Sequence, residues 1–284
     1  EIDNNFKPEL EKMAEVNGWT LRHTHDNLKD FYDGYHFSPR NMVDIYNPFS
    51  LINALDTQNL NSYWASSGAT SMLPTFVKDV ELRLQDFEDC MILRNTLETS
   101  DVTGGGSELF LYQSGYLTIK SCQGNIYHLG FPNEEVKQAL YECVLPALTL
   151  RQEADTQSLQ AQVYQYLEFK ELGKAMKAIK ALVADVPYSN KKLASMNMEE
   201  RYRLIISTIL NSVGLRVEVE RMISTGRIDL VVTTSHYIYV IELKLRNNGG
   251  KAAAIQQMAD KREVVGLGIE LDETGKGLLD WALC

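Results

Sequence analysis

Apolar residues in the first hundred positions recur at helical rather than strand spacing. This spacing predicts three helices, over Phe6–Val16, Asn47–Leu55 and Leu73–Leu97. Gly18 stands where the first helix should stop, and Asn47-Pro48 is typical of a helix start. The glycine-rich run Thr103–Ser107 indicates a linker, because no phosphate-binding loop spacing accompanies it.

Between the linker and Pro187 the pattern changes to helices around a hairpin. Gln123-Gly124 is a turn signal between two short strand-like segments, and Asn133 precedes two acidic residues in a position to cap a helix. The predicted order is helix, strand, strand, helix and long amphipathic helix, over Glu108–Gln113, Tyr116–Lys120, Asn125–Phe131, Glu134–Val144 and Ser158–Ala184. This order predicts a winged-helix-like module, and its acidic surroundings favour a packing lid over DNA binding.

The last hundred residues predict a compact αβββα unit. Asn197 is placed to cap its first helix, Gly214 to end it, and Thr234–His236 to join two strands. The predicted elements are a helix, three strands and a helix, followed by a short strand and a terminal segment: Met198–Val213, Leu215–Ile223, Gly226–Thr233, Tyr237–Leu245, Lys251–Val264 and Leu267–Cys284. The chain is therefore expected to be α+β, divided into regions 1–103, 104–186 and 187–284.

Three charged residues interrupt the apolar runs of the second and third strands. Burying a charge is costly unless a cation, a metal or hydrogen-bond donors compensate it. Side chains alternate along a strand, so Glu242 and Lys244 share a face, and a tight hairpin near Ser235 places Asp229 opposite Glu242. With the Leu243 carbonyl beside them, these side chains predict either a site for Mg²⁺ or Mn²⁺ or a buried salt-bridge network.

A further carboxylate is expected from the helix before these strands. At about 100° per residue, Glu199 lies about 50° from the centre of the inward apolar face, and Glu200 lies about 150° away. Glu199 is therefore the predicted inward acid, with Glu200 as the alternative. Arg227, close before Asp229, is predicted to contact a phosphate, and a pair with Glu220 is the alternative.

Charge and composition narrow the possible functions. The formal charge of −10 argues against general nucleic-acid binding, but residues 187–284 contain 13 Lys and Arg and 12 Asp and Glu, so the acidity belongs to the front region. No apolar run is long enough to span a membrane, and the chain starts with neither a signal peptide nor Met. The four cysteines lack paired spacing. These features predict a cytoplasmic protein with reduced thiols that is part of a longer chain.

Residues Glu199 to Lys261 resemble the PD-(D/E)XK nuclease superfamily. Asp229, Glu242 and Lys244 match its Asp and its Glu-x-Lys step, and Glu199 matches its helix acid. The resemblance implies a restriction-endonuclease-like αβββαβ domain in which these residues bind metal and activate water. In these nucleases the next helix often supplies a glutamine. Gln256 and Gln257 stand there, and either one is expected to contact a nucleic-acid phosphate or to steady Lys244. The following segment, Lys261–Glu270, is shorter than the family pattern.

Motifs further forward resemble the C-terminal half of predicted AAA-ATPase-like proteins fused to such a nuclease domain. They are Phe31–Ser38, Ile45–Ser50, Tyr63–Gly68, Ser114–Ile119 and Gly130–Val136. The resemblance implies that a P-loop ATPase domain precedes the region present here. The function expected from the whole sequence is a metal-dependent nuclease acting on DNA. The alternative is a catalytically inactive nuclease-fold module that binds nucleic acid or regulates the upstream ATPase domain.

Overall fold

The computed structural model describes residues 2–40, 42–65, 90–97, 106–148, 153–184, 186, 197–223, 226–245, 263–271 and 277–283. The chain forms two compact units, Glu1–Leu140 and Tyr141–Cys284. Most of the helix predicted over Lys251–Val264, and most of that predicted over Leu73–Leu97, lie outside the described residues. Within the described ranges, no helix is both long enough and apolar enough to cross a membrane.

The first unit begins with helices packed around one apolar cluster. They are α1 (Ile2–Asn5), α2 (Lys7–Asn17), α3 (Leu21–Tyr32) and α4 (Pro48–Thr57). Gly18 ends α2 in the left-handed conformation at φ 66°, as predicted, and Asn47 caps α4 by accepting from the N–H groups of Phe49 and Ser50. The buried side chains that hold these helices together are Leu10, Met13, Leu28, Tyr32, Leu51, Ala54 and Leu55.

A small antiparallel sheet follows in the same unit. Its elements are β1 (Cys90–Leu93), α5 (Arg94–Leu97), α6 (Gly106–Gln113), β2 (Thr118–Gln123), β3 (Ile126–Gly130) and the start of α7 (Glu134–Leu148). The strand order is β1-β3-β2. The predicted helix over Leu73–Leu97 is wrong at Cys90–Leu93, because these four residues pair with β3 instead. The helix–hairpin–helix order is confirmed, whereas the winged-helix assignment stays a prediction.

Motifs far apart in sequence meet within this unit. The His36 N–H donates to Thr118 Oγ1 at 2.8 Å, and the Tyr35 hydroxyl donates to the Gly115 carbonyl at 3.2 Å. The rings of Trp64 and Tyr116 pack edge to face with centroids 4.8 Å apart. Each contact joins two of the motifs that were identified separately in the sequence, so these motifs form one local core. Whether that core belongs to an ATPase-like domain stays a prediction.

Glu135 is fully buried in this core, and its carboxylate accepts from the Trp64 N–H at 2.8 Å. Burial raises the pKa of Glu135, and the hydrogen bond from Trp64 lowers it by less. Because the folded-state pKa is raised, the stability that Glu135 contributes is fully present below about pH 4.5 and is lost as pH rises through the folded-state pKa.

We therefore expect Glu135→Gln to become more stable relative to the parent protein as pH rises above 4.5. Glu135→Ala should cost about 1–3 kcal/mol, because the partly buried Trp64 N–H loses its acceptor. Urea unfolding at several pH values measures both effects. The neighbouring, less buried Glu134→Gln is the control, and an equal response from that variant would contradict the assignment to burial.

The second unit combines helices with a five-stranded sheet. Its helices are α8 (Glu153–Glu168), α9 (Leu172–Ala184) and α10 (Met198–Ser212), and its strands are β4 (Arg216–Ile223), β5 (Gly226–Thr233), β6 (Tyr237–Leu245), β7 (Glu263–Leu271) and β8 (Leu278–Leu283). The single helix predicted over Ser158–Ala184 is wrong. It is divided at Lys170, which has φ 57°, while the Glu171 N–H bonds back to the Tyr166 carbonyl in a helix-ending motif.

The sheet order is β4-β5-β6-β7-β8, and neighbours are antiparallel except for β6 and β7. The predicted bounds of β5 and β6 agree with the structure. Glu263 and Val264 were predicted to end a helix, and this is wrong because they pair with β6 as the start of β7. The terminal region also forms two strands rather than one, since β8 pairs with β7.

Helix α10 forms much of the core of this unit. From Arg201 to Ser212 every residue of it is buried, including the apolar residues Ile205, Ile206 and Ile209. Its Tyr202 hydroxyl donates to the Gly277 carbonyl at 3.0 Å and accepts from the Gly277 N–H at 2.9 Å. Tyr202 thereby connects α10 to the residue that precedes β8.

Candidate active site

Asp229 and Glu242 lie side by side where β5 and β6 stop pairing. The ladder ends at the pair Leu230–Ile241, so the next residue on each strand is one of these acids. Asp229 is buried, and its Oδ2 accepts from the Leu243 N–H at 2.9 Å. The hairpin therefore fixes the Asp229 carboxylate through the backbone of the neighbouring strand.

The two carboxyl groups interact directly. Burial raises the pKa of Glu242, and the charge of Asp229 and a side-chain hydrogen bond to Asp229 raise it further. Lys244 acts in the opposite direction, with its Nζ 3.9 Å from Glu242 Oε2. Neighbouring carboxylates repel each other when both are charged, and the site is therefore suited to bind positive charge.

Arg203 of α10 reaches this site from the helix. Its side chain is 7% exposed, and its Nη2 lies 3.4 Å from Asp229 Oδ1. Its Nη1 bonds to Glu220 of β4, whose Oε1 also lies 3.0 Å from Arg227 Nη1. The guanidinium of Arg203 therefore links carboxylates on two neighbouring strands.

Glu220 has an unusual backbone conformation beside the site. Its φ of 53° lies in the left-handed region, which costs a non-glycine residue about 1–2 kcal/mol. The β4–β5 ladder is in register on both sides, at Val219–Leu230 and Arg221–Ile228. Glu220 and Asp229 stand opposite each other between those pairs, so the strained position adjoins the candidate site.

The predicted site residues divide into three groups. Asp229, Glu242 and Lys244 are brought together, and Leu243 contributes its N–H to Asp229. Glu199 is partly exposed and Glu200 is exposed, in the first turn of α10. No group of three or more His, Cys, Asp and Glu side chains within the described ranges is arranged to hold a metal, and the role of Glu199 stays a prediction. Gln256 and Gln257 lie outside the described residues.

Arg227 pairs with Glu220, which was the alternative to a phosphate contact. Its side chain is still 50% exposed, so part of its guanidinium faces solvent. Arg203 was not among the predicted site residues; it lies about 90° from the centre of the inward face of α10. An arginine at the flank of the apolar face of a helix, followed by strands that carry acids, is the signal that could have found it. Glu270 was also missed, and it stands beside Lys244 in the β6–β7 register.

The site geometry agrees with a comparison of sequences. Residues 197–270 match the family model described as the PD-(D/E)XK nuclease superfamily. A PD-(D/E)XK nuclease superfamily domain occupies this stretch. The match begins at the cap of α10 and ends within β7, so the PD-(D/E)XK domain includes Arg203, Asp229, Glu242 and Lys244.

Sequence similarity to another protein extends beyond this domain. A protein of Azotobacter chroococcum mcd 1, named only as an uncharacterized protein in the vnfD 5′ region, is 28% identical over 278 residues. The match covers 92% of this chain and 49% of the relative, so the chain spans about half the length of that protein. No solved structure is significantly similar to the chain.

Proposed function

We propose that the PD-(D/E)XK domain is a metal-dependent nuclease that hydrolyses phosphodiester bonds in DNA. One observation carries this proposal: the Asp229 and Glu242 carboxyl groups interact directly, with the Lys244 ammonium 3.9 Å from Glu242. Two acids can hold a divalent cation and a lysine can offset charge on a phosphate, and together they suit cleavage of an anionic backbone. The superfamily match supports the nuclease class, and the site chemistry supports the metal and the substrate.

The donor set fits a hard divalent cation. Mg²⁺ prefers carboxylate oxygens, and it is often bound by one or two carboxylates together with substrate phosphate. Asp229 and Glu242 would hold the ion, and the repulsion that raises the pKa of Glu242 would be relieved by its charge. When bound, such an ion lowers the pKa of a coordinated water and offsets negative charge on the phosphate.

The protein itself would contact the phosphate, orient the attacking water and keep the metal-binding carboxylate in place. Lys244 is 42% exposed, so its ammonium can reach a phosphate oxygen or orient the attacking water. The Leu243 N–H keeps the Asp229 carboxylate in place while the charge around it changes. Arg227, half-exposed at the same end of the strands, is positioned to contact the backbone of a bound nucleic acid. The family resemblance also implies roles for Glu199, Gln256 and Gln257, and these roles stay proposals.

Metal titration tests the binding half of this proposal. We expect saturable binding of Mn²⁺ or Mg²⁺ by isothermal titration calorimetry, and we expect Asp229→Asn to abolish it, because the amide keeps the shape but not the charge. Plasmid, linear and branched DNA then test cleavage with the same metals. Asp44→Asn, on a carboxylate in the first unit, is a control that should bind metal like the parent protein. Binding that survives Asp229→Asn would refute the assigned site.

Arg203 favours a second candidate function. Its guanidinium already places a positive charge 3.4 Å from Asp229, and a buried network of this kind can stiffen a hairpin without any metal. The alternative is a nuclease-fold module without catalysis, which binds nucleic acid or regulates an ATPase domain of the longer protein. Absence of metal binding and of cleavage, together with retained DNA binding, is the result that would favour it.

A further inference from the structure

A cleft lies at the β8 edge of the second sheet, away from the candidate active site. It has a volume of about 280 Å³ and lies between α9 and β8. Its lining residues are Gly173, Met176, Lys177, Lys180, Leu278, Asp280 and Trp281. Neighbouring residues of a strand point to opposite faces, so a cleft lined by both Asp280 and Trp281 lies at the edge of the sheet. The volume is close to the lower end for ligand pockets, about 300 Å³.

The α9 side of the cleft is basic. Helix α9 contains three lysines and no acidic residue, although the chain as a whole has a formal charge of −10. Lys177 and Lys180 are exposed on the side that lines the cleft, whereas Lys174 is outside the lining and pairs with Glu171 at 2.6 Å. Two adjacent ammonium groups without a carboxylate on their own helix suit phosphate groups.

The β8 side of the cleft offers an aromatic ring. Trp281 is partly exposed, and it pairs in register with the buried Ile269 of β7, which fixes its strand position. An indole beside two lysines matches the arrangement of single-stranded nucleic-acid sites, where bases stack on aromatic rings and lysines follow the backbone. The exposed Asp280 disfavours phosphate on its own side, and its carboxylate can accept from an exocyclic amino group of a base.

The position of the cleft relates it to the candidate active site. Lys244 stands beside Glu270, and Glu270 stands beside Asp280, across three neighbouring strands. Two interstrand spacings of about 4.8 Å place the Lys244 and Asp280 backbones roughly 10 Å apart. About three nucleotides at 3.4 Å each cover that distance.

We propose that this cleft binds single-stranded nucleic acid, with a base stacked on Trp281 and the adjoining phosphates at Lys177 and Lys180. The choice of nucleic acid as the ligand rests on the proposed nuclease function. An acidic peptide would use the lysines in the same way, but it would gain nothing specific from the indole ring. The stacking contribution therefore separates the two ligands.

The experiment measures anisotropy of a labelled ten-residue oligodeoxycytidylate with the full chain in EDTA, so that binding is seen without cleavage. The double variant Lys177→Ala/Lys180→Ala should weaken binding by about tenfold. It should also reduce the slope of the logarithm of the binding constant against the logarithm of salt concentration by about 1.4. Trp281→Ala should weaken it by about 5- to 150-fold, and Trp281→Phe should recover part of the loss. Lys174→Ala, on the same helix, should bind like the parent protein.

An abasic oligonucleotide of the same length and a polyglutamate peptide complete the test. Equal binding of the abasic strand, stronger binding of the peptide, or unchanged affinity in the double lysine variant would overturn the proposal. Circular dichroism identifies any variant that fails to fold, and the exposed lysine substitutions give a result even if Trp281→Ala does not fold. If the protein cleaves DNA but these variants bind normally, the cleft proposal alone fails. If binding depends on the cleft but no metal supports cleavage, the nuclease proposal alone fails.

Discussion

Lys244→Met should lower the rate of DNA cleavage by about a hundred- to a thousandfold while metal binding is retained. Removing one group that stabilises charge in a transition state typically has an effect of this size. Lys244 is 42% exposed and its Nζ lies 3.9 Å from Glu242, so methionine keeps the aliphatic length and removes only the ammonium. Single-turnover cleavage at saturating metal measures the effect.

Lys174→Met is the matched control for Lys244→Met. Lys174 is also exposed and also pairs with a carboxylate, Glu171, but it lies on α9 and does not line the candidate site. Its removal should leave the cleavage rate unchanged. Cleavage that persists in Lys244→Met at the parent rate would show that this lysine has no role in the chemistry, and the site assignment would fail with it.

Arg203→Met should lower the free energy of unfolding of the second unit by about 3–5 kcal/mol. Removing one partner of a buried ion pair leaves the other charge uncompensated, and here the 10% exposed side chain of Asp229 loses the guanidinium, whereas Glu220 keeps its pair with Arg227. Hydrogen exchange at the slowest amides of β5 and β6 measures the stability of this unit separately from the first.

Arg221→Met is the comparison for Arg203→Met. Arg221 pairs with Glu218 at 3.2 Å on the same strand, but both side chains are more than a third exposed. A pair of that kind contributes about 0–1 kcal/mol. Similar losses in the two variants would mean that the Arg203 network contributes no more than a surface pair. Stabilisation on added metal in Arg203→Met would further show that a divalent ion can replace the guanidinium.

Much of the second unit follows from local sequence patterns. The strands β5 and β6 have clear limits because β-branched runs meet Gly226 at one end and Thr234–His236 between them. Asn197 caps α10 as predicted, by accepting from the Glu200 N–H at 2.9 Å. The meeting of Asp229 with Glu242 follows from strand alternation and a short turn, and neither depends on the rest of the fold.

Most of the features that sequence patterns missed depend on contacts between distant segments. Cys90–Leu93 is a strand because β3 supplies its hydrogen bonds, and Lys170 takes a left-handed conformation that no lysine signals in a sequence. The early start of β7 comes from parallel pairing with β6, which the spacing of apolar residues does not encode. The position of Arg203 beside Asp229 depends on how α10 packs against the sheet, which a helical wheel does not show.

The paired hydrogen bonds between Tyr202 and Gly277 link the sheet edge to the helix that carries Arg203. Detachment of β8 would remove both the carbonyl and the N–H of Gly277 from the buried Tyr202 hydroxyl. Fraying of β8 is therefore coupled to loosening of α10, and we expect β8 and α10 to open as one cooperative segment. A ligand that stabilises the β8 edge would consequently also keep the Arg203 guanidinium in place beside Asp229 and Glu242.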